Sequence, residues 1–220
     1  MDRVPEPELM DEAEQARAYA EADFAEPHNQ FVAQFSLCFP DIEVRGTYLD
    51  LGCGPGDITI RFARAHPQVT LHGVDGAQAM LSLGHQMVAA AGLDDRVRLE
   101  HAYLPTEELP ANHYAGVISN SLLHHLADPD VLWDTIRRHT RAGAPVFVMD
   151  LMRPADDATA RALVDEHAAD EPEVLRHDFY HSLRAAYRVP EVREQLDRNG
   201  LQQLGIRAIS DRHLIVWGPA

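Results

Sequence analysis

The chain has 220 residues, 45% apolar and 25% charged, which is the profile of a soluble globular protein and the length of one α/β domain with a well-buried core. Its formal net charge of −16, with no basic stripe to offset it, repels nucleic-acid backbone and favours a neutral or cationic small molecule as partner. Two cysteines without a C-x-x-C pair argue against a disulfide or zinc framework, and an acidic start without an apolar h-region, together with no bilayer-length apolar run, sets the expectation of a cytoplasmic protein with no membrane partner.

Met1 to about Glu8 is rich in Pro and Glu and reads as disordered. From Met10 to about Phe39 the pattern is helical, with Tyr19, Phe24, Phe31, Phe35 and Phe39 forming a loose apolar face that Pro27 interrupts. These aromatics have two readings, core packing or a lid over a pocket. Residues 1–45 are accordingly expected to form an N-terminal helical lid segment, and residues 46–220 the main domain.

The stretch Tyr48-Leu49-Asp50-Leu51-Gly52-Cys53-Gly54-Pro55-Gly56-Asp57-Ile58 is an apolar strand, three alternating glycines and the start of an amphipathic helix. A strand, a Gly-rich turn and a helix N-terminus make a ligand seat at the carboxyl edge of a parallel sheet. Main-chain N–H groups and the partial positive charge there suit a carboxylate or phosphate. The dinucleotide pattern is G-x-G-x-x-G, whereas the spacing here is G-x-G-x-G. Asp50, two residues before the first glycine, would repel a pyrophosphate and attract an ammonium group.

Ile58 to Ala65 reads as a helix ended by Pro67, and Val69 to Asp75 as a second buried strand closing on an acid. Asp75 follows the Gly turn by about twenty residues, the offset at which a carboxylate accepts from both ribose hydroxyls. The alternative is an N-cap of the next helix, which runs to about Ala91 and is stopped by Gly92. Arg96 to Glu100 alternates as a strand, followed by His101-Ala102-Tyr103. Glu107 to Pro110 is a loop, Tyr114 to Asn120 a strand, and Ser121-Leu122-Leu123-His124-His125-Leu126 follows it. Asp128-Pro129 caps a helix from Asp130 to Thr140, ended by Gly143, and Ala144 to Asp150 is a fifth strand. Residues 152–188 turn polar and helix-compatible, an insertion expected over the ligand edge of the sheet, where Asp178 to Arg184 concentrates groups able to meet a polar substrate. A helix from Glu191 to Asn199 precedes two strands, Leu204 to Ser210 and His213 to Trp217, joined by a turn at Asp211-Arg212. The expected fold is therefore α/β: a Rossmann-like doubly wound sheet, mostly parallel, with a C-terminal antiparallel hairpin.

D-L-G-C-G-P-G resembles motif I of the class I S-adenosylmethionine (SAM)-dependent methyltransferases, and a terminal antiparallel hairpin fits that family better than a simple NAD domain. The resemblance implies SAM as cofactor, seated by Asp50, Gly52, Cys53, Gly54 and Gly56. It makes Asp75 the motif II acid, with Gly76 allowing close approach and Met80 packing on adenine. It favours a lid role for Tyr19 and Phe24, and it puts Ser119 and Asn120 where the fourth strand meets substrate and the methionyl part of SAM. S-N-S-L-L-H-H-L is similar to the small-molecule branch, and the N-P-P-Y and D-P-P-Y tetrapeptides of enzymes that methylate base nitrogens are lacking. The sequence departs from the family where Gly-Asp-Ala often follows the third strand: His101-Ala102-Tyr103 removes the side-chain acceptor for the adenine amino group, and leaves the N–H of Ala102 or Tyr103 and the Tyr103 ring to meet adenine. If the acceptor is a poor nucleophile, a base is needed, and His124, His125 and His181 are the candidates. No H-x-x-x-H or cysteine cluster supports a metal site. An NAD(P)-binding oxidoreductase and a non-catalytic SAM-binding protein are the alternatives; the acceptor atom and the oligomeric state are not readable.

Overall fold

The structure is a computed structural model that describes residues 1–6, 13–22, 24–106, 109 and 113–220. Seven strands form one sheet: β1 (Gly46–Leu51), β2 (Val69–Asp75), β3 (Val97–His101), β4 (Gly116–Asn120), β5 (Pro145–Leu151), β6 (Gly205–Ala208) and β7 (His213–Pro219). Their order is β3-β2-β1-β4-β5-β7-β6. The first five run parallel, and β7 inserts antiparallel between β5 and β6. The expected mixed sheet with a terminal hairpin is what the structure has.

Strand periodicity splits the core into two layers. On one face, Tyr48 of β1, Ile118 of β4, Phe147 and Met149 of β5 and Ile215 of β7 pack with Phe31 and Phe35 of α2 (Ala25–Cys38), Phe62 of α3 (Asp57–Ala65) and Leu81 of α4 (Gln78–Ala91). On the other, Leu49, Leu51, Val117, Val146, Val148, Leu214 and Val216 pack with Trp133 and Ile136 of α5 (Asp130–His139) and Val192 and Leu196 of α8 (Val189–Arg198). A strand's side chains alternate between faces, so apolar residues at successive positions bury both sides of the sheet. All seven residues of β5 are buried, which is why that strand reads as one continuous apolar run.

Several element boundaries differ from expectation. The N-terminal helical pattern is two helices, α1 (Ala13–Glu21) and α2, and Pro27 sits in the first turn of α2. A missing N–H costs nothing there, so Pro27 starts a helix where it was expected to interrupt one. Met10 lies outside the described residues, as do Glu107, Glu108 and Pro110 of the expected loop. Helix α8 begins two residues before Glu191, because the Glu191 carboxylate accepts from the Arg188 N–H at 2.7 Å and closes the first turn. The insertion after β5 forms α6 (Asp157–His167) and α7 (Glu173–Ala185). Among the described residues, no helix is long and apolar enough to cross a membrane.

The largest correction concerns the first residues. Met1 to Glu6 is held against α7 and the segment after β4, where disorder was expected; Pro7 and Glu8 lie outside the described residues. The Val4 N–H donates to the Arg184 carbonyl at 3.1 Å. Arg3 donates to the carbonyls of Ala185, His124 and Leu126 at 2.5, 2.9 and 3.0 Å, and its guanidinium lies 4.1 Å above the Tyr187 ring. Composition describes a Pro- and Glu-rich stretch but does not show the orphan carbonyls that a single arginine can collect.

One buried polar contact fastens α5 to α8: Trp133 Nε1 donates to Gln195 Oε1 at 3.0 Å, with both residues buried. Replacing Gln195 with leucine keeps the volume but strands the indole N–H away from water. Gln195→Leu should cost about 1–3 kcal/mol of unfolding free energy in a denaturant titration.

Candidate active site

The sheet reverses direction of growth between β1 and β4, and a chamber of about 650 Å³ opens at the carboxyl ends of those strands. Such a switch point is where open α/β sheets take ligands. The chamber floor is the turn after β1. Gly52, Gly54 and Gly56 have φ of +70°, +52° and +82°, a left-handed region costly for other residues. At Gly52 an added β-carbon would lie 2.8 Å from Leu122, whereas at Gly54 nothing lies within 4 Å. Gly52 is thus needed for packing, and Gly54 for bare main chain facing the chamber.

Asp75, at the end of β2, ties this floor to the next loop. Its Oδ2 accepts from the Gly54 N–H and its Oδ1 from the Ala77 N–H, both at 2.8 Å. Asp75 is not the N-cap of α4, which is Ala77; its carboxylate joins the two loops and faces the chamber. Asp50, on β1, is buried under the turn and accepts from Thr59 Oγ1 at 2.6 Å. Burial pushes its carboxyl up to about 7, because an anion there loses its water.

The chamber's outer wall comes from the N-terminal helices. Tyr19 of α1 packs with Ala16, Ala77 and Met80, and its ring centre is 4.8 Å from that of Phe24. Burial pushes the Tyr19 hydroxyl up to about 12. His28 of α2 sits 2.5 Å from Asp57 Oδ2, which also accepts from Arg61 Nε at 2.6 Å. Burial pushes Asp57 up, but these two donors outweigh it and hold its carboxyl below the ordinary range. The pair pins α2 to the start of α3, beside the glycine turn.

The opposite end is polar. Ser121, at φ +57°, breaks the chain out of β4 and presents Leu122 to Leu126 as a tight turn. His124 is buried, with Nδ1 2.5 Å from Asp150 Oδ1. Asp150 also accepts from the N–H groups of Leu123 and Leu151 at 2.7 and 2.8 Å, so the ring is oriented by a carboxylate that is itself fixed. Burial pulls His124 down, but Asp150 and Glu6 outweigh it and raise its pKa above the ordinary value. His124 Nε2 and His125 Nδ1 both face Glu6 Oε1, at 3.5 and 3.3 Å. Asp178, Phe179 and Ser182 of α7 close this end.

Of the residues singled out from sequence, Tyr19, Asp50, Gly52, Cys53, Gly54, Asp75, Gly76, Met80, Ala102, Tyr103, Asn120, His124 and His125 all line the chamber. Three do not. Gly56 stands behind the floor as the N-cap of α3. Ser119 is fully buried in β4 and donates to the Leu51 carbonyl at 2.8 Å, a strand-to-strand brace. His181 lies outside the wall against His177, with ring centres 4.3 Å apart, because successive residues of α7 point in different directions and Leu175, Asp178, Phe179 and Ser182 face inward. At the departure from the family pattern, His101 Nε2 is 3.0 Å from the Gly76 carbonyl, so its ring supports the Asp75 loop. Glu6, Asp150 and His28 were missed. The only local signal was Asp150, an acid at the carboxyl end of an apolar run, as Asp75 is on β2.

Residues 49–146 match the profile of a methyltransferase domain family. An uncharacterized methyltransferase of Mycobacterium tuberculosis is 31% identical over 107 residues, 49% of this chain and 51% of the relative. The chain thus spans about half the length of that curated relative. Among solved structures, a SAM-dependent methyltransferase from Methanococcus maripaludis, itself described as putative, superposes with a TM-score of 0.71 at 14% identity, covering 98% of this chain and 96% of that one. The plantazolicin methyltransferase BpumL in complex with SAH superposes with a TM-score of 0.69 at 12% identity, covering 94% and 90%. At such identities the superpositions speak for the fold. The matched stretch runs from β1 into β5 and takes in the glycine floor, Asp75 and the histidine turn, and over it the chain is similar to a methyltransferase domain.

Proposed function

We propose that the chain transfers the sulfonium methyl of SAM to a small-molecule acceptor by in-line displacement. The observation that carries this reading is the open main chain at Gly54, held by Asp75 and lying over buried Asp50. SAM, when bound, supplies a methyl group on a sulfonium that is already a good leaving group.

The residues present fit that cofactor in charge and shape. The N–H groups of Gly52, Cys53, Gly54 and Gly56 are donated within the fold, so it is the partial positive charge at the start of α3 that suits its carboxylate, and Asp50 suits its ammonium. Asp75 faces the chamber with a carboxylate, the group type that accepts from ribose hydroxyls. Met80 and Tyr103 offer apolar faces to adenine, and the N–H groups of Ala102 and Tyr103 offer donors. Tyr19 and Phe24 exclude water from that side, and exclusion of water with alignment of the reacting groups is most of what such a transfer asks of a protein. His124 and His125 stand at the acceptor end to hold or take a proton. A pyrophosphate-bearing dinucleotide fits less well, since Asp50 and Asp75 would both repel it. The chamber walls formed by α1 and α7 favour a small acceptor over an extended polymer, in keeping with the net charge of −16.

Incubation with SAM and a panel of small hydroxylated, carboxylated and amino compounds should yield S-adenosylhomocysteine (SAH) above the no-acceptor control for at least one class; binding of SAH with no turnover across the panel would reduce the chain to a SAM-binding protein. Gly54→Ala places a β-carbon that meets no protein atom within 4 Å, so it should fold with stability lowered by about 1–2 kcal/mol for the positive φ, and should weaken SAH binding by about 10-fold or more in calorimetry. Asp50 adds a pH signature. Its folded pKa, about 7, lies above the ordinary 3.8, so its contribution to stability is complete below about pH 4 and is lost as pH rises through about 7. A bound ammonium favours the anion. SAH binding at about pH 6.5 should therefore release a proton, measurable as a dependence of binding heat on buffer ionisation enthalpy, and Asp50→Asn should abolish that release.

A further inference from the structure

We propose that Glu6, His124 and His125 hold a divalent transition ion at the acceptor end of the chamber, with an open coordination position turned toward the acceptor. Sequence reading set a metal aside because local ligand spacing is missing. The fold supplies the missing ligand from the first residues, whose path is fixed by Arg3 and Val4.

The geometry is that of a site built around a small ion. Glu6 Oε1 lies 3.5 Å from His124 Nε2 and 3.3 Å from His125 Nδ1, and the three ligand atoms lie within 4.8 Å of one another. Ligand atoms about 2.0–2.2 Å from a tetrahedral zinc-like ion sit about 3.3–3.5 Å apart along each edge. The Glu6 side chain is only 9% exposed, yet Oε1 has no hydrogen-bond partner among the described residues, although two ring nitrogens are close. Three potential ligand atoms thus face one another at ion-pair distances, with Glu6 Oε1 making no hydrogen bond among the described residues.

The surroundings agree. Asp150 grips the far nitrogen of His124, the carboxylate–imidazole support that orients metal-bound histidines. Ser182 Oγ donates to Glu6 Oε2 at 3.2 Å and leaves Oε1 aimed inward. Arg3 directs its donors to three backbone carbonyls. Two imidazoles and one carboxylate with a fourth position free suit a borderline ion such as zinc, iron or cobalt. The other His and carboxylate group, Glu166, His167 and Asp211, is exposed, and Arg212 already reaches both His167 and Asp211.

Both histidines line the chamber, so the open position would take an oxygen of the acceptor, which selects hydroxyl- or carboxylate-bearing molecules. With those ring nitrogens on the ion, the proton-holding role of the histidines falls away: a bound hydroxyl would give its proton to solvent water and stay on the ion as an alkoxide or phenolate, ready to act as nucleophile. That catalytic role rests on the methyl-transfer reading; the binding site does not.

Chelator-treated full-length protein should bind one equivalent of Co²⁺ per chain, with visible d–d bands of a low-coordinate site. Glu6→Gln and His125→Asn should each weaken binding by more than about 100-fold, and Asp150→Asn by about 10–100-fold, while Glu166→Gln changes nothing. SAH affinity, measured on the same samples, reports that each variant is folded and tests the cofactor reading separately: Co²⁺ bound without SAH supports the metal site while the methyl-transfer reading falls. Absence of the bands in the wild-type protein, or equal Co²⁺ affinity in wild type, Glu6→Gln and His125→Asn, would overturn the proposal and leave Glu6 as an ion-pair partner of the histidines.

Discussion

The carboxylate of Asp75 receives two main-chain N–H groups, one from the glycine turn after β1 and one from the start of α4. A hydrogen bond to a charged acceptor contributes about 1.5–3 kcal/mol, so this side chain sets the spacing of the two loops that floor the chamber. The turn itself is in a backbone region that costs non-glycine residues about 1–2 kcal/mol each, and the Val74 carbonyl secures it by accepting from Gly52 and Cys53 at 2.9 and 3.1 Å. With floor and loop locked together, Asp50 beneath, Met80 alongside and the aromatic wall of α1 all face one space. Without that tie, the chamber residues would have no common target.

A second carboxylate performs the matching task at the other end. Asp150, the penultimate residue of β5, accepts two main-chain N–H groups and orients His124. The two acids sit on opposite sides of the β1–β4 switch point, one organising the loop expected to meet the cofactor and one the turn expected to meet the acceptor. The chain thus divides the labour of the site between two halves of one sheet, with Glu6 joining the second half from far away in the sequence.

What the sequence shows and what it hides follow from the range of the interactions. Strands such as Val69–Asp75 and Pro145–Leu151 are legible because burial on both faces demands apolar runs of strand length. The glycine floor is legible because few residues tolerate its backbone angles. Ser119 was misplaced because a serine beside a site and a serine bracing two strands look alike until the Leu51 carbonyl is found 2.8 Å away. His181 was misplaced because helical phase decides which residues of α7 face inward, and Asp178, Phe179 and Ser182 occupy that face. The docking of residues 1–6 has no local pattern at all, since its partners are carbonyls after β4 and at the end of α7.

The account is tested most directly by a crystal structure of the chain soaked with SAH. It predicts the ribose hydroxyls within hydrogen-bonding distance of Asp75 and the amino-acid end of the ligand over Gly54. Density for the ligand elsewhere, an empty turn at saturating SAH, or a pyrophosphate bound at that turn would contradict it.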